Sequence, residues 1–136
     1  MNQILVIDDE PGISDMIGEA LTRFGYTVEI ATTGQQGVKR LKDASFDLVV
    51  TDMCMPGLDG TGIIRQIRNS SRPLTPVIGI SGTPWLLERA DCDAVLTKPF
   101  PLHVLIDTVK RLERINLPAA ADPAACGPPL GVPTML

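Results

Sequence analysis

The chain is predicted to fold as an α/β domain built on a doubly wound, five-stranded parallel sheet. Two patterns point there. Five short apolar runs alternate strictly with five stretches of helical periodicity, the order expected when each strand is followed by a crossover helix. Three of those runs also lack polar alternation, as strands do when both faces of the sheet are covered. Right-handed crossovers then place helices on both sides.

The first run, Ile4-Leu5-Val6-Ile7, lies almost at the N-terminus and reads as a central strand. Over residues 11–24, Ile13, Met16, Ile17, Ala20, Leu21 and Phe24 recur three or four apart, which predicts a helix with one apolar stripe. Pro11 suits its first turn, and Gly25 suits the left-handed residue that ends it. Val28-Glu29-Ile30-Ala31 mixes polar and apolar residues and predicts an edge strand. A weaker helix follows over residues 34–44, then a second central strand at Leu48-Val49-Val50-Thr51. Another helix covers residues 60–69, and Val77-Ile78-Gly79-Ile80 forms the third central strand. A very short helix is expected near residues 85–90, before a fifth strand at Ala94-Val95-Leu96. The last helix, residues 101–116, turns Leu102, Leu105, Ile106, Val109 and Leu112 inward and leaves Lys110, Arg111, Glu113 and Arg114 to water. Residues 1–117 thus make one domain. Residues 118–136, rich in Pro, Ala and Gly and nearly uncharged, read as a flexible tail or linker.

Composition narrows the function classes. At 136 residues the chain can bury one proper core, which must be largely aliphatic because aromatics are only 4%. A net charge of -4 disfavours direct nucleic-acid binding. No run is long enough for a membrane span and no signal peptide precedes the first strand, so a cytoplasmic location is expected. Cys54, Cys92 and Cys126 are odd in number and widely spaced, which suits free thiols in a reducing compartment.

Ligands of an open parallel sheet bind beyond the carboxyl ends of its strands. Here those ends carry Asp8-Asp9-Glu10 after the first strand, Asp52 after the third, Ser81 after the fourth and Lys98 after the fifth. Two carboxylates about 5 Å apart repel by about 3 kcal/mol at an effective dielectric of 20. A hard divalent cation held by oxygens offsets that repulsion, and Mg²⁺ leaves coordination positions open for a phosphoryl group. Lys98 can neutralise a phosphoryl oxygen, Ser81 can donate a hydrogen bond to another, and Asp52 can act as the nucleophile that forms an acyl phosphate. The set suits in-line phosphoryl transfer by positioning and charge neutralisation.

Ile4-Leu5-Val6-Ile7-Asp8-Asp9-Glu10-Pro11, the segment from Asp47 through Asp52-Met53-Cys54-Met55-Pro56-Gly57 to Gly60, and Leu96-Thr97-Lys98-Pro99-Phe100 resemble the receiver domains of response regulators, over about residues 3–116. The resemblance implies the flavodoxin-like strand order 2-1-3-4-5. It implies a phosphorylation-dependent signalling switch that takes its phosphoryl group from a histidine kinase or phosphotransfer protein and acts on a downstream protein target. It further implies Asp52 as phosphoacceptor, and Mg²⁺ on Asp9, Asp52 and the backbone carbonyl of Cys54, with Asp8 acting largely through water. Ser81 would be the switch hydroxyl, Lys98 the phosphoryl partner, Gly82 the small neighbour of Ser81, and Lys98-Pro99 a cis bond. Such a domain is not an enzyme acting on a separate substrate, but catalyses its own phosphorylation and dephosphorylation.

Two features depart from the family pattern. Val95 stands where an aromatic ring usually reports on the switch hydroxyl, and the segment from Ser81 to Lys98 is about one helical turn short, which predicts a stunted fourth helix around Pro84 and Trp85. Rival readings fit less well. A haloacid-dehalogenase-type phosphatase would need a second acid two residues after the nucleophile, where Cys54 stands, and a flavodoxin would need a phosphate-cradling loop where Asp8-Asp9-Glu10 stands. A pseudo-receiver that docks partners without phosphorylation remains the alternative. His103 is expected to face solvent, without the helical bundle that a relay histidine requires.

Overall fold

In a computed structural model, which describes residues 3–82 and 92–115, five parallel strands form one sheet in the order β2-β1-β3-β4-β5. The elements are β1 (Gln3–Ile7), α1 (Pro11–Arg23), β2 (Thr27–Ala31), α2 (Gly34–Asp43), β3 (Leu48–Asp52), α3 (Gly60–Arg68), β4 (Val77–Ser81), β5 (Ala94–Thr97) and α4 (Leu102–Ile115). This is the doubly wound α/β architecture expected from the alternation of apolar runs and helical patterns. The short helix expected near residues 85–90, Cys126, and the tail of residues 118–136 lie outside the described residues.

Alternate residues of the central strands supply two cores. Ile4, Val6, Leu48, Val50, Ile78 and Ile80 pack with Ile17 and Leu21 of α1 and with Leu105, Ile106, Val109 and Leu112 of α4. Leu5, Ile7, Val49 and Val77 face the other way, against Ile63, Ile64 and Ile67 of α3. Burial on both faces removes the polar alternation that a half-wet strand shows. β2, the mixed strand, is an edge as expected, and its Ile30 is 40% exposed.

The ends of α1 follow its sequence. Pro11 occupies the first turn, and Gly25 closes the helix at φ 93, a conformation that glycine adopts without a Cβ clash. The buried face differs from the expected stripe. Ser14, Ile17, Gly18 and Leu21 are buried, whereas Met16 and Phe24 are exposed. At about 100° per residue, the buried stripe is turned about 80° from the apolar one. Gly18 explains the turn: a Cβ there would lie 3.0 Å from Ile30 Cδ1, so the helix approaches β2 on its smallest residue. Exposed Phe24 is capped by the Lys110 ammonium of α4, 4.8 Å from the ring centroid.

A second tie joins the same elements. The Tyr26 hydroxyl donates to Glu113 Oε1 at 2.9 Å. Burial and that carboxylate push the phenol up to about 12. No helix among the described residues is long and apolar enough to cross a membrane.

Candidate functional site

Parallel pairing delivers the chemistry-bearing residues to one edge. Ile7 pairs with Thr51, Asp52 with Ile80, and Ser81 with Thr97. Backbone bonds carry the ladder a step further: Asp8 N–H donates to Ala31 O at 3.1 Å, Met53 N–H to Ile80 O at 2.9 Å and Lys98 N–H to Ser81 O at 2.9 Å. Asp8, Asp52, Ser81 and Lys98 therefore stand together at the carboxyl edge.

Asp52 is buried at the end of β3. Its Oδ1 accepts the Cys54 N–H at 3.0 Å, and its Oδ2 lies 3.4 Å from Lys98 Nζ. The same ammonium donates to Glu10 Oε1 at 3.2 Å. Burial alone would lower the Lys98 pKa, but Asp52, Glu10 and Asp8 together outweigh it and hold the amine above its ordinary value.

Asp8 is 1% exposed. Its Oδ1 accepts the Glu10 N–H at 2.9 Å, while Oδ2 is buried with no hydrogen-bond partner. Burial raises its pKa, partly opposed by the Glu10 N–H and reinforced by the charge of Asp52. One oxygen each from Asp8, Glu10 and Asp52 lies within 4.8 Å of the others. Such an oxygen-only set, with one buried oxygen lacking a partner, fits a hard divalent cation.

Asp9 is exposed on the same turn and stands outside that group of three. Glu10 takes the place beside Lys98, and its role did not emerge from the sequence. Ser81 is buried at the end of β4, and Cys54 is exposed in the loop after Asp52. The Lys98-Pro99 bond is cis, as the resemblance implied. A Cβ on Gly82 would meet nothing within 4 Å. Val95 is 42% exposed on edge strand β5, and His103 is exposed on α4.

Known proteins share this fold and part of its sequence. The family model for the response regulator receiver domain matches residues 4–110. The chain is 32% identical over 117 residues to the transcriptional regulatory protein TcrA of Mycobacterium tuberculosis, a match covering 82% of this chain and 46% of TcrA. It is 35% identical over 118 residues to the transcriptional regulatory protein QseB of Escherichia coli O157:H7, covering 83% and 52%. The chain thus spans about half the length of the curated relatives it matches. Among solved structures, the response regulator TrrA of Thermotoga maritima, in complex with Mg²⁺-BeF, superposes with a TM-score of 0.74 at 31% identity, over 82% of this chain and 99% of that one. With the family model spanning most of the described residues and the strand order agreeing, the chain belongs to the response regulator receiver domain family of two-component systems.

Proposed function

We propose that this chain is a phosphorylation-dependent signalling switch, with Asp52 accepting a phosphoryl group from the phosphohistidine of a partner histidine kinase or phosphotransfer protein. The observation that carries it is the setting of Asp52: a buried carboxylate with one oxygen held by the Cys54 N–H and the other 3.4 Å from the Lys98 ammonium. An Asp52 oxygen attacks phosphorus, a P–O bond forms and the P–N bond to the histidine breaks, with the electron pair leaving on the imidazole nitrogen. Lys98 neutralises charge on the phosphoryl oxygens, and the Ser81 hydroxyl donates to one of them. That contact draws the end of β4 toward Asp52 and shifts affinity for a downstream protein. The same site returns the acyl phosphate to carboxylate by hydrolysis, so the domain catalyses its own turnover in both directions.

The residues proposed to hold Mg²⁺ are Asp8, Asp9, Asp52 and the backbone carbonyl of Cys54, and the unpartnered Asp8 Oδ2 supports a cation at this edge. When bound, the ion supplies charge neutralisation between the carboxylates and the phosphoryl oxygens. The solved complex of TrrA with Mg²⁺-BeF supports a Mg²⁺-dependent site in this chain. Because TcrA and QseB are transcriptional regulatory proteins about twice as long as the segment each shares with this chain, the readout we propose is through a protein partner or a longer chain rather than by direct DNA contact of these residues. A cytoplasmic setting belongs to the same proposal.

Intact mass after incubation with acetyl phosphate and Mg²⁺ tests the reading. One labile phosphoryl adduct is expected, lost in Asp52→Asn and in excess chelator. A folded protein that takes up neither a phosphoryl group nor beryllofluoride would instead be a docking module that works without phosphorylation.

A further inference from the structure

Glu10 has an unusual position for an acid at a helix start. It is the N-cap residue of α1, a place where the shorter Asp accepts N–H bonds from the first turn, and its longer side chain makes no capping bond. Its backbone carbonyl takes the N–H groups of Ile13 and Ser14 instead, both at 3.0 Å. Its own N–H is fixed by Asp8 Oδ1 at 2.9 Å. The backbone is thus pinned on both sides, and the carboxylate is turned to Lys98 Nζ at 3.2 Å across 88 residues of sequence.

We propose that Glu10 is a positioning residue that holds Lys98 in the resting state and competes with the phosphoryl group for its ammonium. The proposal rests on the phosphorylation switch above. An ammonium has three N–H donors, and in the resting chain Lys98 directs them at Glu10 and Asp52. A phosphoryl group on Asp52 brings further anionic oxygens to the same ammonium, and Glu10 opposes them both by charge and by occupying a donor. The Glu10 side chain is 59% exposed, so water can receive its carboxylate when Lys98 turns away. The cost of release is that of a partly exposed ion pair, which sets an effect of roughly two- to fivefold on phosphoryl-analogue affinity.

The experiment has two arms, each run on the full chain with the melting temperature of every variant checked. In the Mg²⁺-free resting protein, the Lys98 ε-methylene NMR signal, assigned through Lys98→Arg, is expected to shift in Glu10→Gln and in Glu10→Asp. An unchanged signal overturns the ion pair. In saturating Mg²⁺, both variants are expected to bind beryllofluoride roughly two- to fivefold more tightly than the wild type. Glu10→Asp separates the mechanisms, because it keeps the charge but is one methylene too short for Lys98. If only Glu10→Gln tightens binding, simple repulsion operates and the competition for Lys98 is refuted. Weakened Mg²⁺ binding in Glu10→Gln, without tighter beryllofluoride binding, would make Glu10 a metal ligand instead. A wild-type protein that binds no beryllofluoride would sink the switch and the competition together, while the first arm still decides whether Glu10 holds Lys98.

Discussion

Asp8 Oδ2 is a buried oxygen with no hydrogen-bond partner, in a side chain whose pKa is raised first by burial. A carboxyl whose folded pKa lies above its ordinary 3.8 stabilises the fold fully at pH below that ordinary value. It loses that contribution as the pH rises through the folded value. Above the folded value the metal-free chain bears the cost of the buried charge. Asp8→Asn keeps an acceptor for the Glu10 N–H and offers an amide to Asp52. It should raise metal-free stability by about 1–2 kcal/mol at neutral pH, as read by urea denaturation in chelator, with the advantage vanishing on acidification toward pH 4. A variant no more stable than the wild type at neutral pH would refute this account of the pocket. At this scale Asp8, Asp52, Ser81 and Lys98 were legible from sequence, because the carboxyl-edge rule needs only strand ends. Glu10 was not, because an exposed acid three residues past a strand looks like any helix cap until Lys98 is seen beside it.

Two glycines show how closely the helices sit on the sheet. In α2, a Cβ on Gly37 would fall 2.5 Å from Ile7 Cδ1 and 2.9 Å from its Cγ1, inside a fully buried core. In α1, a Cβ on Gly18 would meet the far end of partly exposed Ile30 at 3.0 Å, with Ile30 Cγ1 and Val28 Cγ1 at an ordinary 3.6 Å. Replacement by alanine gains about 1 kcal/mol of helix propensity in either case, but overpacking costs about 1–3 kcal/mol where neighbours cannot yield. Gly37→Ala should therefore destabilise the domain, whereas Gly18→Ala should be neutral or stabilising, both by denaturant midpoint. Equal effects would mean that Ile7 and Ile30 yield alike. These glycines also mark what periodicity could not reveal in α1. Apolar spacing selected Met16 and Phe24, yet the face that approaches β2 is chosen by the smallest side chain, and Gly18 carries no hydrophobic signal. Strands were easier, since their burial on both faces is written directly as unbroken apolar runs.

For the whole molecule, binding at the carboxyl edge should be readable as global stability, because a ligand that binds only the native state raises its melting temperature. At a Mg²⁺ concentration ten times its dissociation constant the gain is about 1.4 kcal/mol, or roughly 5 °C for a domain of this size. Calorimetry across millimolar Mg²⁺ should show that rise in the wild type and a smaller one in Asp52→Asn. A flat response in the wild type would remove the metal from the site. The acceptor site is complete only once Lys98 is in place, and α4 follows it, carrying Leu105, Ile106, Val109 and Leu112 to the face shared with α1, where Glu113 meets Tyr26. A nascent chain that has left the ribosome only as far as β5 thus displays one face of an all-parallel sheet that α1 alone covers in part. Parallel sheets with unmet surface are slow to fold and prone to aggregate. During synthesis this protein depends on α4 to finish shielding the first strand it made, so a pause or truncation before residue 102 is the point in its production where chaperone capture is most needed.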